Sequence, residues 1–485
     1  LPSSTITVSD LKIVSGKIKS SKSGFLYAEL PNKGIESVDL TDSLLQVRVE
    51  DTGLSTNGSG QLTMPSLTGT DFVYAPFDEE RYTVIYNDGS IETLTTDQVT
   101  LTTGAKGVTI SGLTASQSNN VVVHSTQQKS KVKSKVKNLT RSATLIVSGS
   151  SRPNSGVSTA LQDGLTFASA FGKRVQDREI SLDVPDVVSV AAVFESSGNA
   201  DPTIPQLTLG SYNGPNANNT DVILGEIGIG VSSGGAAMVL GRSSTTKVDI
   251  IFKNNKPFIE GEEVKFEESG VRAILSNVNP GDNNIRANYR LDSGQRSEFY
   301  DFGRLVRKQG FPEPQGRLKI YFDHYVINSE DSGDVITASS YDASEYDIVP
   351  IFDEIRNTDV VDFRPRVAPY SGSRSPFEFD SRDFSGAGQA ARVLVSDENI
   401  TFDYKHYLSR IDRLYLQRNG NFIIKQGEPA VKPVQPEAIP NAFELAKIEY
   451  PPYVFNAKRE VKITFRANQR YTMKDIGALE TRIEK

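Results

Sequence analysis

Short runs of β-branched and aromatic residues, each closed off by glycine or proline, recur along the whole of this 485-residue chain. Its 38 glycines and 23 prolines interrupt almost every stretch before a helical period can build up. Such a chain is confined to many short strands joined by tight turns. The window 81–113 shows the pattern. Arg81 to Tyr86 alternates in hydropathy, Asn87-Asp88-Gly89 supplies a turn, and Ile91 resumes a strand. Further strands follow at Val99–Thr102 and Val108–Ile110. Asp88-Gly89 suits a type I′ turn, whose two central residues both take positive φ. The expected fold is mainly β: several small antiparallel sandwich or meander modules in series, few short helices, and the start of one helix at the C-terminus.

Composition shifts divide the chain into five expected units: an N-terminal β module over 1–70, a meander over 71–150, a β module with one helix over 151–260, a β-rich unit over 261–425, and a final stretch over 426–485. The Gly/Ser/Thr-rich segments 52–69 and 149–157 mark the first two boundaries. One of the few helix candidates is Leu161–Phe171, with apolar residues at 161, 165, 167, 168 and 171. Residues 364–389, rich in Arg, Pro, Ser and Gly, are expected to lie extended over another surface. Four prolines between 426 and 440 mark a semi-rigid linker. The chain opens on Leu1 rather than Met and stops at Lys485 inside an unfinished helical pattern, as a piece of a longer protein would.

The formal charge is −7, from 53 Lys and Arg against 60 Asp and Glu, so a wholly basic, nucleic-acid-gripping surface is not expected. With no cysteine, disulfides, thiolate metal sites and a cysteine nucleophile are excluded. No apolar run approaches the ~18 residues of a membrane helix, and no membrane partner is expected.

Gly225, Gly228, Gly230, Gly234 and Gly235 suggest a phosphate cradle, but Ser233 breaks the dinucleotide fingerprint and no P-loop lysine pattern occurs. A glycine-rich strand pair is expected instead. Lys129, Lys131, Lys133, Lys135 and Lys137 alternate with Ser130, Val132, Ser134 and Val136. At a period of two this predicts an exposed strand, lysines on one face and valines turned in. The lysines could bind a polyanion or an acidic partner, or simply guard an edge. No aromatic residue is interleaved to stack on bases, and no nucleic-acid partner is expected. The acidic segments 329–334 and 280–282 lack EF-hand spacing and are expected to be turns. His124, His324 and His406 are too scattered for a zinc site, and His324 and His406 are expected to pack beside their neighbouring tyrosines and phenylalanines. No catalytic, cofactor or metal site is expected.

Two further segments are candidates for interaction. Asp362-Phe-Arg-Pro-Arg366 sets Arg364 and Arg366 beside a rigid proline, and one of them is expected to pair with an acid. Near the C-terminus, Ile476, Leu479 and Ile483 form a narrow apolar seam on one helix face. The seam is either packed on its own domain or the first turns of a coiled coil.

Eight strings occur in a familiar order: Phe77-Asp-Glu-Glu-Arg-Tyr82 with Asp88-Gly89, Thr109-Ile-Ser-Gly-Leu113, Leu291-Asp-Ser-Gly-Gln-Arg296 leading to Tyr300-Asp-Phe-Gly-Arg304, Tyr321-Phe-Asp-His-Tyr325, Asp362-Phe-Arg-Pro-Arg366, Ser373-Arg-Ser-Pro-Phe-Glu-Phe379, Tyr407-Leu-Ser-Arg-Ile-Asp412 and Arg470-Tyr-Thr-Met-Lys-Asp-Ile-Gly477. Across roughly residues 72–485 the chain resembles large virion structural proteins of T4-like contractile-tailed bacteriophages of marine bacteria. The resemblance implies a tail, baseplate or fibre component that acts by assembly rather than catalysis. It implies other virion proteins as partners, a homo-oligomer (a trimer by analogy with phage fibres), and assembly in the host cytoplasm. Two rivals are a glycan-binding adhesion module, with Tyr404, Tyr407 and Tyr415 as its aromatic patch, and a polysaccharide depolymerase. The latter needs two carboxylates about 5–9 Å apart.

Overall fold

The computed structural model describes residues 3–8, 26–69, 71–147, 171–198, 200–213, 219–372, 374–384, 393–394, 400–466 and 473–483. The boundary segment 149–157 and, but for Phe171, the expected helix 161–171 lie outside them, as do Ser373 and residues 385–389 of the Arg/Pro/Ser stretch. The fold is mainly β: small antiparallel sheets, one of them closed into a barrel, with two short α-helices among the described residues.

The 81–113 window folds into strands at Tyr82–Tyr86, Ile91–Glu92, Val99–Leu101 and Val108–Ile110. Gly89 takes φ +84° at the first turn, which its missing Cβ allows, but Asp88 keeps negative φ, so the turn forms where expected without being type I′. These strands divide between two facing sheets. Tyr82–Tyr86 pairs with Val121–Lys129, which pairs in turn with Leu45–Leu54. Val108–Ile110 pairs with Val99–Leu101 and Leu62–Thr63. Leu62, Tyr74, Tyr82, Val84, Val108, Ile110, Val121 and Val123 meet between them.

A second sandwich sets Lys137–Val147, Leu318–Ile327 and Val187–Glu195 against Glu179–Pro185, Phe302–Arg307 and Tyr289–Asp292. Its core holds Val147, Ile180, Leu182, Val193, Tyr289, Leu305 and Ile320. The six strands Gln206–Asn213, Lys247–Phe252, Ala236–Arg242, Ile227–Gly230, Glu263–Phe266 and Arg272–Asn279 close into the barrel. Alternate residues such as Leu207 and Leu209, Val248 and Ile250, and Val264 and Phe266 fill its interior. The glycine cluster forms a hairpin of this barrel, as expected of a glycine-rich strand pair. A Cβ on Gly228 would lie 2.8 Å from the Phe266 ring, so space selects the glycine.

Strand pairing crosses the expected unit boundaries. Ser3–Val8 pairs with Ile400–His406, which also pairs with Ile35–Asp39. Tyr27–Glu29 pairs with Val360–Asp362, and Leu45–Leu54 with Val393–Leu394. Hydropathy alternation marks a strand but carries no record of its partner, so distant pairing leaves no local trace. A last sheet, ordered Phe422–Lys425, Arg410–Leu416, Phe443–Tyr450, Lys462–Phe465, precedes the helix Met473–Ile483.

Candidate functional site

The lysine-rich segment is not the exposed ridge its alternation predicts. Lys129 ends one strand and Lys137 begins another, and between them the chain passes from the first sandwich to the second. Lys131 takes φ +54°, which breaks the period of two. Lys129, Lys135 and Lys137 are therefore buried, while Lys131 and Lys133 are exposed. Val132 is turned in as expected, but Val136 is 56% exposed. The acidic segment 329–334 docks on this link. Lys129 forms an ion pair with Asp334, which also accepts the Lys133 backbone N–H at 3.1 Å. Asp331 accepts the Val136 N–H at 2.7 Å, and Lys131 reaches Asp71 at 3.0 Å.

Arg364 and Arg366 lie in the interior. Arg364 grips Asp362 through two parallel bonds, Nε to Oδ1 at 3.0 Å and Nη2 to Oδ2 at 2.8 Å. It also donates to the Gln295 side chain, the Tyr300 hydroxyl and the Arg296 carbonyl. The guanidinium stacks over Tyr300, 4.4 Å from the ring centre, and over Phe352 at 4.9 Å. Burial alone would raise the Asp362 carboxyl, but the charge and hydrogen bonds of Arg364 hold it below the usual carboxylate range. Arg366 donates to the Tyr325 carbonyl at 2.7 Å and approaches Asp186 at 3.9 Å. This stretch is ordered by docking on its own protein, with both arginines beside acids.

The C-terminal seam is uncovered. The helix forms, yet Ile476 and Leu479 are 47% and 43% exposed, and Met473 is exposed beside them. The side chain of Ile483 lies outside the described residues. More apolar surface stands on the sheet that precedes the helix in the chain. Register places Phe422 opposite Leu416, Ile424 opposite Leu414, Phe465 opposite Ala446 and Ile463 opposite Ile448. Phe443 also faces Leu416, and Ala446 faces Leu414. Cross-strand partners and alternate residues share a face, so Phe422, Ile424, Phe443, Ile463 and Phe465 all stand on one side. Each is at least half exposed, Phe465 at 72%, whereas Ala446 and Ile448 between them on the same side are buried. The opposite face carries Arg413, Tyr415 and Glu444 together with Ile411 and Ile423, and Gln435 of the proline-rich linker lies against it. Sequence reading missed this apolar face. Its signal, Ile463 and Phe465 alternating with Lys462 and Thr464, is what a buried strand would show.

The aromatic patch named for a glycan is not present as a patch, because Tyr404 and Tyr415 are each 1% exposed. His324 and His406 pack beside Phe322 and Tyr404, at 5.5 and 5.7 Å between ring centres. Among the described residues, no three His, Asp or Glu side chains gather as metal ligands would, and no helix is long and apolar enough to cross a membrane. A cleft of about 290 Å³ lies where 451–460 crosses Lys33, Arg356 and Asp359, with Tyr453 and Phe455 in its wall.

A family model described as a domain of unknown function, DUF4815, matches residues 370–485, the stretch that carries the apolar sheet face and the helix. No curated protein and no solved structure matches the chain.

Proposed function

We propose that this chain is a structural component of a bacteriophage virion, in the tail or baseplate–fibre apparatus, and that it acts by assembly rather than catalysis. The single observation that carries the reading is the set of exposed apolar side chains on one face of the C-terminal sheet. Its five side chains leave on the order of 500 Å² of apolar surface in water, judged from aromatic side-chain sizes. The largest patch on an ordinary monomer is about 300–600 Å² and is often a contact site. The helix carries a second set of exposed apolar side chains, Met473, Ile476 and Leu479.

The occupant we assign is a second copy of this chain, in a cyclic homo-oligomer, trimeric by analogy with phage fibres. The face carries Phe and Ile but little charge, so a matching apolar face suits it better than an acidic or basic partner. The resemblance of the ordered strings to those of phage structural proteins points the same way, and implies other virion proteins as neighbours and assembly in the host cytoplasm. Mass spectrometry of purified particles, separated into tail and head fractions, tests the reading. The chain is expected in the tail fraction after a high-salt wash; its absence from particles would overturn the assignment.

A further inference from the structure

Lys137 and Asp186 are both wholly buried, with Nζ 2.7 Å from Oδ2. Lys137 opens the strand Lys137–Val147, and Asp186 sits at the corner between Glu179–Pro185 and Val187–Glu195, with φ +59°. The ammonium position is walled by aromatic rings: Tyr300 at 4.6 Å, Tyr341 at 4.9 Å and Tyr325 at 5.7 Å from the ring centres. Nζ donates to the Tyr341 hydroxyl at 2.9 Å. Tyr300 lies beyond, its hydroxyl donating to Asp362.

The two buried acids here are treated differently. Asp362 is saturated by Arg364, Tyr300 and a backbone N–H. Neither Asp186 oxygen has a hydrogen-bond donor in good geometry beyond its ion pair. A buried pair kept for stability satisfies its remaining lone pairs. This one leaves an unsaturated carboxyl against an amine in a dry aromatic box.

We propose that the Lys137 amine and the Asp186 carboxyl condense into an intramolecular isopeptide bond. Away from water the neutral pair is favoured, and one proton moves from Nζ to the carboxylate. Burial lowers the affinity of the Lys137 amine for its proton, against the pull of Asp186, in keeping with that transfer. The nitrogen lone pair then attacks Cγ, and a tetrahedral centre forms. Its oxyanion is stabilised by the Arg366 guanidinium, which lies 3.9 Å from Oδ2 in the unreacted pair. The nitrogen proton passes through the Tyr341 hydroxyl to the departing hydroxyl. The Cγ–O bond breaks and water leaves. One N–C bond is made, one C–O bond is broken, one water is released, and no oxidant is needed. The product ties an outer strand of one sheet to the corner that links it to the facing sheet, in a chain that has no cysteine for a disulfide.

Intact-mass and peptide mass spectrometry of the full chain test this directly. The expected result is a mass lower by one water, and a branched tryptic species joining the Lys137 and Asp186 peptides. Lys137→Arg and Asp186→Ala should each restore the full mass. A wild-type chain of full mass, with both residues in separate linear peptides, would overturn the proposal. A water deficit mapping to any other residue would overturn it equally. The wild-type reading alone decides the matter if either variant fails to fold.

Discussion

The guanidinium of Arg364 closes on the carboxylate of Asp362, two residues earlier in the chain, through a bidentate contact in which both side chains are at most 1% exposed. Asp362 is also the end of the strand that pairs with Tyr27–Glu29, and Arg364 lies over Tyr27, Tyr300 and Phe352. One ion pair therefore ties the N-terminal segment, the 295–300 loop and the 351–366 stretch together.

Removing Arg364 should be severe. Arg364→Met leaves Asp362 charged and buried without its partner, and the expected loss is about 3–5 kcal/mol. Arg364→Lys should recover only part of this, since a lysine cannot form the fork. Urea unfolding midpoints of the three proteins check both statements. A midpoint unchanged in Arg364→Met would contradict them.

Acid should act through the same carboxylate. The folded Asp362 carboxyl is depressed, so its stabilisation is complete above the ordinary carboxylate value of about 4 and drains as pH falls toward the folded value. His324, lowered chiefly by burial, resists a proton that the unfolded chain accepts below about pH 6.5, so stability falls with pH there too. Asp177 and Asp359 are raised by burial and pull the opposite way. The check is thus a difference. Asp362→Asn should be less stable than wild type at neutral pH, with the gap narrowing in acid below about pH 4. A gap constant with pH refutes the argument.

In the barrel, Gly230→Ala should cost about 1–3 kcal/mol by overpacking. Its Cβ would stand 2.5 Å from Ser233 Oγ and 2.6 Å from Glu262 Oε1. Glu262 cannot easily give way, because it accepts the backbone N–H groups of Ser232, Ser233 and Ile259. Gly210→Ala is the control. That position has open space and ordinary φ, so the change should stay within about 0.5 kcal/mol. Thermal melts of the two variants distinguish them; equal losses would mean that space does not select the glycine at 230.

Local pattern was enough for the β class, the position though not the type of the Asp88-Gly89 turn, the glycine hairpin and the final helix, because each depends on neighbours in sequence. It failed where distance in sequence decides. The Lys129–Lys137 alternation presumes one strand, but the left-handed backbone at Lys131 and the docking of Asp331 and Asp334 turn three of the five lysines inward. Asp186 gave no signal at all, since its meeting with Lys137 depends on two strands that flank Leu318–Ile327. The apolar C-terminal face was hidden for the opposite reason: its residues have the pattern of a core, and nothing in that pattern marks which of them stay exposed.

Sedimentation velocity of the chain over a wide concentration range, beside the double variant Phe422→Glu and Phe465→Glu, tests assembly through that face most directly. The wild type should associate as concentration rises. The variant should stay monomeric with unchanged far-ultraviolet circular dichroism, since both side chains are already about 70% exposed and contribute little to the monomer's own core. A wild-type chain that remains monomeric throughout, or a variant that associates just as well, would contradict the account.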